Sequence, residues 1–333
     1  MNQDLISFTA TSPVRRGLSG WLRRIGVLAM HTFTQLVRMK VFYFMLVFCV
    51  VLFVAGFVLS SISPDQELKL VKDAAFGVMQ VFSAIFGIVG MAQLLPKDLE
   101  DRTLYTILSK PVRRHEYLLG KYLGVLLVLL LSLVVMDLLA CGVLQLKYHL
   151  AESAAVAQVE SVRDSGKMSP QEFEEARAAA VGELARHGLR WEMQAAVAAI
   201  FLKAAVITAV TLAVSTFAGS TIFTILVALS MYVIGHLQAT ARETLMNPEP
   251  PHSHRGPGAA AAPQAVPPSP VLRVAAGAIA VVFPDFQAYN VVDAVVAGKS
   301  LDQGSVLKML GLTAVYLAIY LGIAVFIFAE KEL

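Results

Sequence analysis

The chain has 333 residues, of which 57% are hydrophobic and only 15% are charged, and its mean hydropathy is +0.67. A soluble domain carries about a quarter charged residues, so this composition excludes a soluble globular protein and indicates an integral membrane protein. The net charge of +3 gives no indication of nucleic-acid binding. Cys49 and Cys141 lie within apolar runs, so we interpret them as buried small side chains rather than a disulfide or metal pair.

The first 40 residues form a basic segment that we predict to be cytoplasmic. Apolar residues recur at three- and four-residue steps from Leu18 to Val37, and the arginines fall elsewhere on the helix. This pattern predicts an amphipathic helix that lies in the headgroup plane. The alternative is that the helix is simply the cytoplasmic start of the first span. We favour the interfacial orientation because Arg23 and Arg24 are far from the next apolar run.

Apolar runs predict an all-α polytopic membrane protein with six transmembrane helices, since each run is near the ~20 residues that a ~30 Å hydrocarbon core requires. Gly87 and Gly90 predict close packing of the second span. Basic residues before the first span place the N-terminus in the cytoplasm, and the even span count places the C-terminus there too. The predicted spans are 41–60, 75–95, 121–146, 195–217, 220–239 and 306–329, so that spans 1 to 3 occupy 41–146, spans 4 and 5 occupy 195–239, and span 6 with a short tail occupies 306–333.

Two longer segments then fall outside the cell. Segment 147–194 predicts a helical hairpin, because Ser169, Pro170 and Glu172 form a helix start with a capping box. Segment 240–305 contains a proline-rich tract that cannot build a core, followed by an apolar run, 272–283, that is too short to cross a membrane. That run and a helix around 289–297 predict a re-entrant element before the last span.

No motif predicts catalysis in this chain. It has no phosphate-binding GxxxxGK[ST] loop and no HExxH pair, so we expect no ATPase site. His252 and His254 lie in the proline-rich tract without other ligands at metal-binding spacing, so we predict no metal site.

Two ionisable residues lie within predicted spans, where charge is expensive. Asp137 and Lys203 are at similar distances from the outer ends of spans 3 and 4, so a salt bridge between them is geometrically reasonable. They either form a structural pair, reach outward to the interface, or line a polar pathway.

A charged loop, 96–121, connects spans 2 and 3. Its basic residues outnumber its acids, which favours a cytoplasmic location. Within it, 99–121 reads LEDRTLYTILSKPVRRHEYLLGK and resembles the E-x-x-T-L-x-x-L-L-S-x-P-x-x-R-x-x-x-x-x-G-K signature of ABC-2 type transporter permeases. The N-terminal elbow helix, the six spans, the re-entrant element and the charged C-terminal end are also similar to that family. The resemblance covers most of the chain but not 147–194 or the proline-rich tract.

The resemblance implies that 97–110 is a cytoplasmic coupling helix on which a separate ABC ATPase subunit docks. That subunit would bind ATP and Mg²⁺, so this chain would need no cofactor of its own. The resemblance also implies a dimer with a second permease chain, a bacterial inner-membrane location among membrane lipid, and export. The docking residues would be Leu99, Glu100, Asp101, Arg102, Thr103, Leu104, Ile107, Leu108, Ser109, Lys110, Pro111, Arg113 and Arg114.

Two other functions remain open at this stage. The enlarged 147–194 hairpin is also typical of a non-transporting membrane component that passes ATPase-driven motion to an external partner. A secondary transporter would need more intramembrane ionisable residues than Asp137 and Lys203, and the chain shows no evident inverted repeat.

Overall fold

The computed structural model describes residues 18–38, 67–100, 113–164, 169–187, 191–246, 283–297 and 303–330, together with Val47, Val50, Val51 and Val54. These residues form helices and connecting turns, and no strand occurs among them. The helices are α1 (Leu18–Arg38), α2 (Glu67–Glu100), α3 (Arg114–Asp164), α4 (Pro170–His187), α5 (Glu192–Phe217), α6 (Thr221–Met246), α7 (Val292–Val296) and α8 (Gln303–Glu330), with a short 3₁₀ helix at Gln287–Tyr289.

Five of these helices, α2, α3, α5, α6 and α8, are long and apolar enough to cross a membrane. They coincide with predicted spans 2 to 6, which confirms a helical membrane protein. Of the predicted first span, 41–60, the structure describes only the four valines named above, which are helical and exposed. The proline-rich tract with His252 and His254, and the apolar run 272–282, lie outside the described residues.

Helix α5 is the centre of the bundle. It packs against α2, α3, α6 and α8, and 78% of its apolar window is buried, against 22% for α6 and 28% for α8. Alanines along α5 allow this close approach, and its buried threonines donate to carbonyls one turn back, as Thr208 does to Ala204 at 2.7 Å. A Cβ at Gly87 of α2 would lie 2.5 Å from the Thr208 Oγ1 atom, so the predicted close packing at Gly87 is confirmed.

Helix α1 lies alongside the beginning of α3 and runs in the same direction. A Cβ at Gly120 would lie 2.5 Å from the Leu28 Cβ, and one at Gly124 would lie 2.5 Å from the Thr32 Cβ. Both helices therefore advance by four residues between these contacts, which requires nearly parallel axes. The orientation of α1 in the headgroup plane stays a prediction, because the residues that join α1 to the first span lie outside the described part of the chain.

Helix α3 is longer than its predicted span. It has 51 residues and is about 77 Å long at 1.5 Å per residue, well over twice a ~30 Å hydrocarbon core. Its polar end packs against α4. The capping box that starts α4 is confirmed, because the Ser169 amide donates to the Glu172 carboxylate at 2.8 Å and the Glu172 amide donates to the Ser169 hydroxyl at 3.3 Å.

Residues 283–297 are here called the return segment. The beginning of this segment contacts α6 and α8, and its helix α7 contacts α2 and α5. The Phe286 amide donates to the Gly235 carbonyl of α6 at 3.1 Å, and the Asp285 amide donates to the Tyr316 hydroxyl of α8 at 3.0 Å. Gly235 is required for this approach, because a Cβ there would lie 2.5 Å from the Pro284 carbonyl oxygen. The helix predicted around 289–297 is present as the shorter α7.

Candidate functional site

The loop that sequence analysis singles out connects α2 to α3. Helix α2 continues through Pro96 to Glu100, so Leu99 and Glu100 lie in its last turn rather than in a separate loop. Arg113 is exposed and directly precedes α3, and Arg114 is its first residue. The other predicted docking residues lie outside the described part of the chain: Asp101, Arg102, Thr103, Leu104, Ile107, Leu108, Ser109, Lys110 and Pro111.

A buried ion pair joins the two helices at the ends of this loop. The Lys121 ammonium of α3 lies 2.7 Å from the Asp98 carboxylate of α2, and their side chains are only 3% and 10% exposed. The Tyr117 hydroxyl donates to the same carboxylate oxygen. The Lys121 ammonium also donates to the Gln35 side chain of α1 at 3.4 Å. Breaking such a pair would leave a charge buried without a partner, so α2 and α3 are held together at the loop.

A second ion pair joins α1 to the first turn of α3. The Arg24 guanidinium donates two hydrogen bonds to the Glu116 carboxylate, at 2.7 and 2.9 Å, and the Glu116 side chain is fully buried. The Arg113 amide also donates to Glu116, at 3.3 Å, so the same carboxylate caps the start of α3. The hydrogen bonds from Arg24 to Glu116 raise the pKa of the guanidinium, which is charged at any physiological pH.

The last span is tied to the same place. The Arg114 guanidinium donates to the Phe328 and Ala329 carbonyls at 3.0 and 3.1 Å, in the final turn of α8. Carbonyls at a helix C-terminus lack intrahelical donors, and a cation there also complements the helix dipole. The Tyr117 ring stacks on the Phe328 ring, with 6.1 Å between their centroids.

We call this cluster the loop base: Arg24, Gln35, Asp98, Arg114, Glu116, Tyr117, Lys121 and Phe328. It joins four helices, α1, α2, α3 and α8, around the two ends of the loop. Arg114 is one of the predicted docking residues, whereas the pairing of Arg24 with Glu116 is not predicted by the sequence. A Glu three residues after Arg113 is a recognisable signal for the helix start. No local signal indicates that Arg24, which lies 92 residues away in sequence, completes the pair.

The other predicted polar residues, Asp137 and Lys203, have separate partners. Asp137 accepts hydrogen bonds from Gln194 at 2.9 Å and from the Cys141 thiol at 3.7 Å. The Lys203 ammonium lies 5.9 Å from the centroids of the Tyr232 and Phe286 rings. Among the described residues no ion pair involves either side chain.

The reason is the register of α3 against α5. Because Asp137 contacts Gln194, it is level with the beginning of α5. Lys203 lies nine residues further along that helix, about 14 Å deeper at 1.5 Å per residue. Counting from the ends of the predicted spans predicts equal depth for Asp137 and Lys203. The observed register of α3 against α5 differs from that prediction.

The bundle of apolar helices defines an integral membrane protein. The model of the ABC-2 family transporter proteins matches residues 27–333, so the chain belongs to that family. Members of this family are membrane components of transporters, which in general work as dimers with an ATPase partner. The matched range includes 147–194 and the proline-rich tract, which inspection of the sequence left outside the resemblance. A search of curated proteins finds no match to this chain.

Proposed function

We propose that the chain is the transmembrane permease subunit of an ABC-2 type exporter, and that an ATPase subunit docks on 97–110 to drive it. One observation carries this proposal beyond family membership. Both ends of the proposed docking loop are fastened by ion pairs to helices that belong to the membrane bundle, and the carboxylate of each pair is buried. A force applied to the loop would therefore reach α1, α2, α3 and α8 together.

The proposed movement follows from these contacts. Closure of two ATP-bound ATPase subunits would push the docking helix against the loop base. The charge-assisted bonds at Asp98 and Glu116 are short and their carboxylates are buried, so the helices would move as a unit rather than slide past one another. A dimer of this chain, or of this chain with a similar one, would thereby alternate between inward- and outward-facing states.

The orientation is also part of the proposal. The loop base carries the basic residues Arg24, Arg114 and Lys121 close together, as expected of the cytoplasmic side of a bacterial inner membrane. Both termini would then be cytoplasmic, and the α4 hairpin would be external. The return segment would be a re-entrant element, because Phe286 reaches the level of Lys203 near the middle of α5.

A second candidate function rests on the length of α3. One helix, about 77 Å long at 1.5 Å per residue, carries the loop base at its first turns and packs against α4 at its polar end. A tilt of α3 driven from the loop would therefore displace the external hairpin. On this alternative the chain passes ATPase-driven motion to an external partner instead of transporting a substrate.

The docking assignment can be tested by Leu104→Asp and Glu100→Ala, with the exposed Glu174→Ala of α4 as a matched control. The tagged chain is expressed in its native host, and co-purifying Walker-motif ATPase is quantified by mass spectrometry. Leu104→Asp places a charge in the apolar anchor and should abolish co-purification, and Glu100→Ala should reduce it or uncouple ATP hydrolysis. The control should retain both. If both loop variants keep full association and coupling, the docking assignment is wrong.

A further inference from the structure

The ammonium of Lys203 lies near the middle of α5, the central helix of the bundle. Lys203 is only 5% exposed and is the charged residue in a run of buried apolar and threonine positions on α5. It lies eleven residues from the beginning of this 26-residue helix, near its midpoint. An ammonium at such a depth is expensive unless a compensating group is close to it.

The compensation within the described residues is aromatic. The Tyr232 ring of α6 and the Phe286 ring of the return segment both face the ammonium at 5.9 Å, and His236 packs edge-on against Tyr232 with 4.3 Å between the ring centroids. We call Lys203, Tyr232 and Phe286 the Lys203 cage. Two ring faces stabilise a desolvated cation by much less than the cost of removing it from water.

The nearby carboxylates have other partners. Asp285, next to Phe286, accepts hydrogen bonds from the Gln287 and Ala288 amides at 3.0 and 3.4 Å. Asp137 is about 14 Å away along α5 and is bonded to Gln194. Among the residues that the structure describes, no carboxylate pairs with Lys203 and no oxygen accepts a hydrogen bond from it. The ammonium therefore retains its capacity to bind an anion.

The surroundings of the cage indicate what kind of anion would bind there. Tyr232, which covers Lys203, is only partly buried, and α6 leaves most of its apolar face uncovered, with Leu229 and Val233 exposed beside it. An approach to the cage from the side of α6 would therefore pass apolar side chains. A hydrated inorganic ion would lose its water on this route, whereas an amphiphile would place its chains against α6 and its charged group at Lys203.

We propose that the Lys203 cage binds the phosphate group of an anionic amphiphile, such as a phospholipid, within the helix bundle. The ammonium supplies a charge-assisted hydrogen bond to a phosphate oxygen, and the apolar face of α6 receives the acyl chains. Binding requires no ATPase, so this proposal can fail while the docking assignment stands, and the reverse also holds.

The experiment uses the purified full-length chain in uncharged detergent. Its thermal unfolding is followed while short-chain phosphatidylglycerol, short-chain phosphatidylcholine or inorganic phosphate is added. Phosphatidylglycerol should raise the unfolding temperature saturably, because a ligand that binds only the folded state stabilises it. Phosphatidylcholine, which has the same chains and no net charge, should do so much less.

Substitutions then locate the effect. Lys203→Met should raise the phosphatidylglycerol concentration needed for half of the maximal stabilisation by roughly 10- to 100-fold, the range expected for loss of one charge-assisted hydrogen bond. The exposed Lys308→Met, the same change on α8, should respond as the unsubstituted chain does. If Lys203→Met does not fold, Lys203→Gln keeps a polar hydrogen-bond donor on a slightly shorter side chain and removes the charge.

Two results would overturn the proposal. If Lys203→Met responds to phosphatidylglycerol like the unsubstituted chain, the anion binds elsewhere and the cage is not its site. If inorganic phosphate alone reproduces the whole Lys203-dependent effect, the site binds a free anion and the assignment to an amphiphile is wrong.

Discussion

The loop base and the Lys203 cage differ in the groups that compensate their positive charges. At the loop base, Arg24 and Lys121 each have a carboxylate partner within 2.7 Å. In the cage, Lys203 faces two aromatic rings at 5.9 Å. A paired charge fixes the position of the helices that carry it, whereas an unpaired one remains available to a ligand. The first region is therefore built to hold helices together and the second to bind.

The largest effect should come from breaking a pair at the loop base. Asp98→Ala leaves Lys121 buried without its carboxylate, so it should destabilise the fold by roughly 3–5 kcal/mol. Thermal unfolding of the purified chain measures this loss. The double variant Asp98→Leu with Lys121→Leu removes both charges and should recover much of the stability. An Asp98→Ala chain as stable as the unsubstituted one would show that the pair does not hold α2 to α3.

Packing beneath the ion pairs should give the next largest effect. Gly124→Leu places a side chain where Thr32 and the Ala29 carbonyl already lie, so α1 must move away from α3. Overpacking of this kind costs about 1–3 kcal/mol and sometimes more, which denaturant unfolding can measure. Gly142→Leu on the same helix is the matched control, because nothing lies within 4 Å of its Cβ position. Equal effects of the two substitutions would contradict the close α1–α3 contact.

The return segment depends on one glycine of α6. Gly235→Ala would place a methyl group 2.5 Å from the Pro284 carbonyl oxygen and 2.6 Å from the Phe286 ring, and should displace the segment at a cost of about 1–3 kcal/mol. Faster hydrogen exchange at the Phe286 amide would report the displacement. Gly311→Ala, with nothing within 4 Å, is the control. Unchanged exchange at Phe286 would mean that the segment is held without Gly235.

The cage should respond with the opposite sign. In the absence of any anionic lipid, Lys203→Met removes a buried cation that the described residues compensate only with aromatic rings, so the unfolding temperature of this variant should stay the same or rise. The unfolding temperature of Asp98→Ala, measured in parallel, should fall. If Lys203→Met is destabilised as strongly as Asp98→Ala, the ammonium has a structural partner and the contrast between the two regions disappears.

The smallest effect should appear at the capping box of α4. The hydrogen bond from the Ser169 amide lowers the pKa of Glu172 below its ordinary value. The ionised carboxylate therefore stabilises the helix fully at pH values above the ordinary pKa, and this stabilisation is lost as the pH falls through the lowered pKa. Hydrogen exchange in the first turn of α4 should therefore accelerate at acidic pH, and Glu172→Gln should remove this dependence. Glu174→Gln, at an exposed position of the same helix, should leave the pH dependence unchanged. If Glu174→Gln also removes the pH dependence, the effect does not come from the capping box.

Sequence patterns predict the helices better than the contacts between them. The periodicity at Leu18–Val37 and the capping box at Ser169 are local, and both elements are found where they are predicted. Hydropathy locates spans 2 to 6 but not the ends of α2 and α3, because helices continue into water where the composition is polar and still favours helix. Local patterns therefore give the inventory of helices.

The contacts at the candidate sites depend on the register of one helix against another, which local sequence patterns do not specify. Counting from the ends of the predicted spans places Asp137 beside Lys203. In the structure Asp137 contacts Gln194 instead, and Lys203 lies about 14 Å further along α5. The pairing of Arg24 with Glu116 likewise requires that α1 lie parallel to α3. Both facts follow only from how the helices pack.

The central claim is that the loop base passes ATPase-driven motion into the bundle, and the Asp98→Leu, Lys121→Leu double variant tests it most directly. The measurement is ATP hydrolysis by the complex co-purified from the native host and reconstituted in lipid, compared with the rate for the unsubstituted chain. The account predicts that the double variant folds and retains its ATPase partner but loses most of the permease-dependent change in hydrolysis. A double variant that couples as well as the unsubstituted chain would contradict the account and leave the ion pair with a structural role alone.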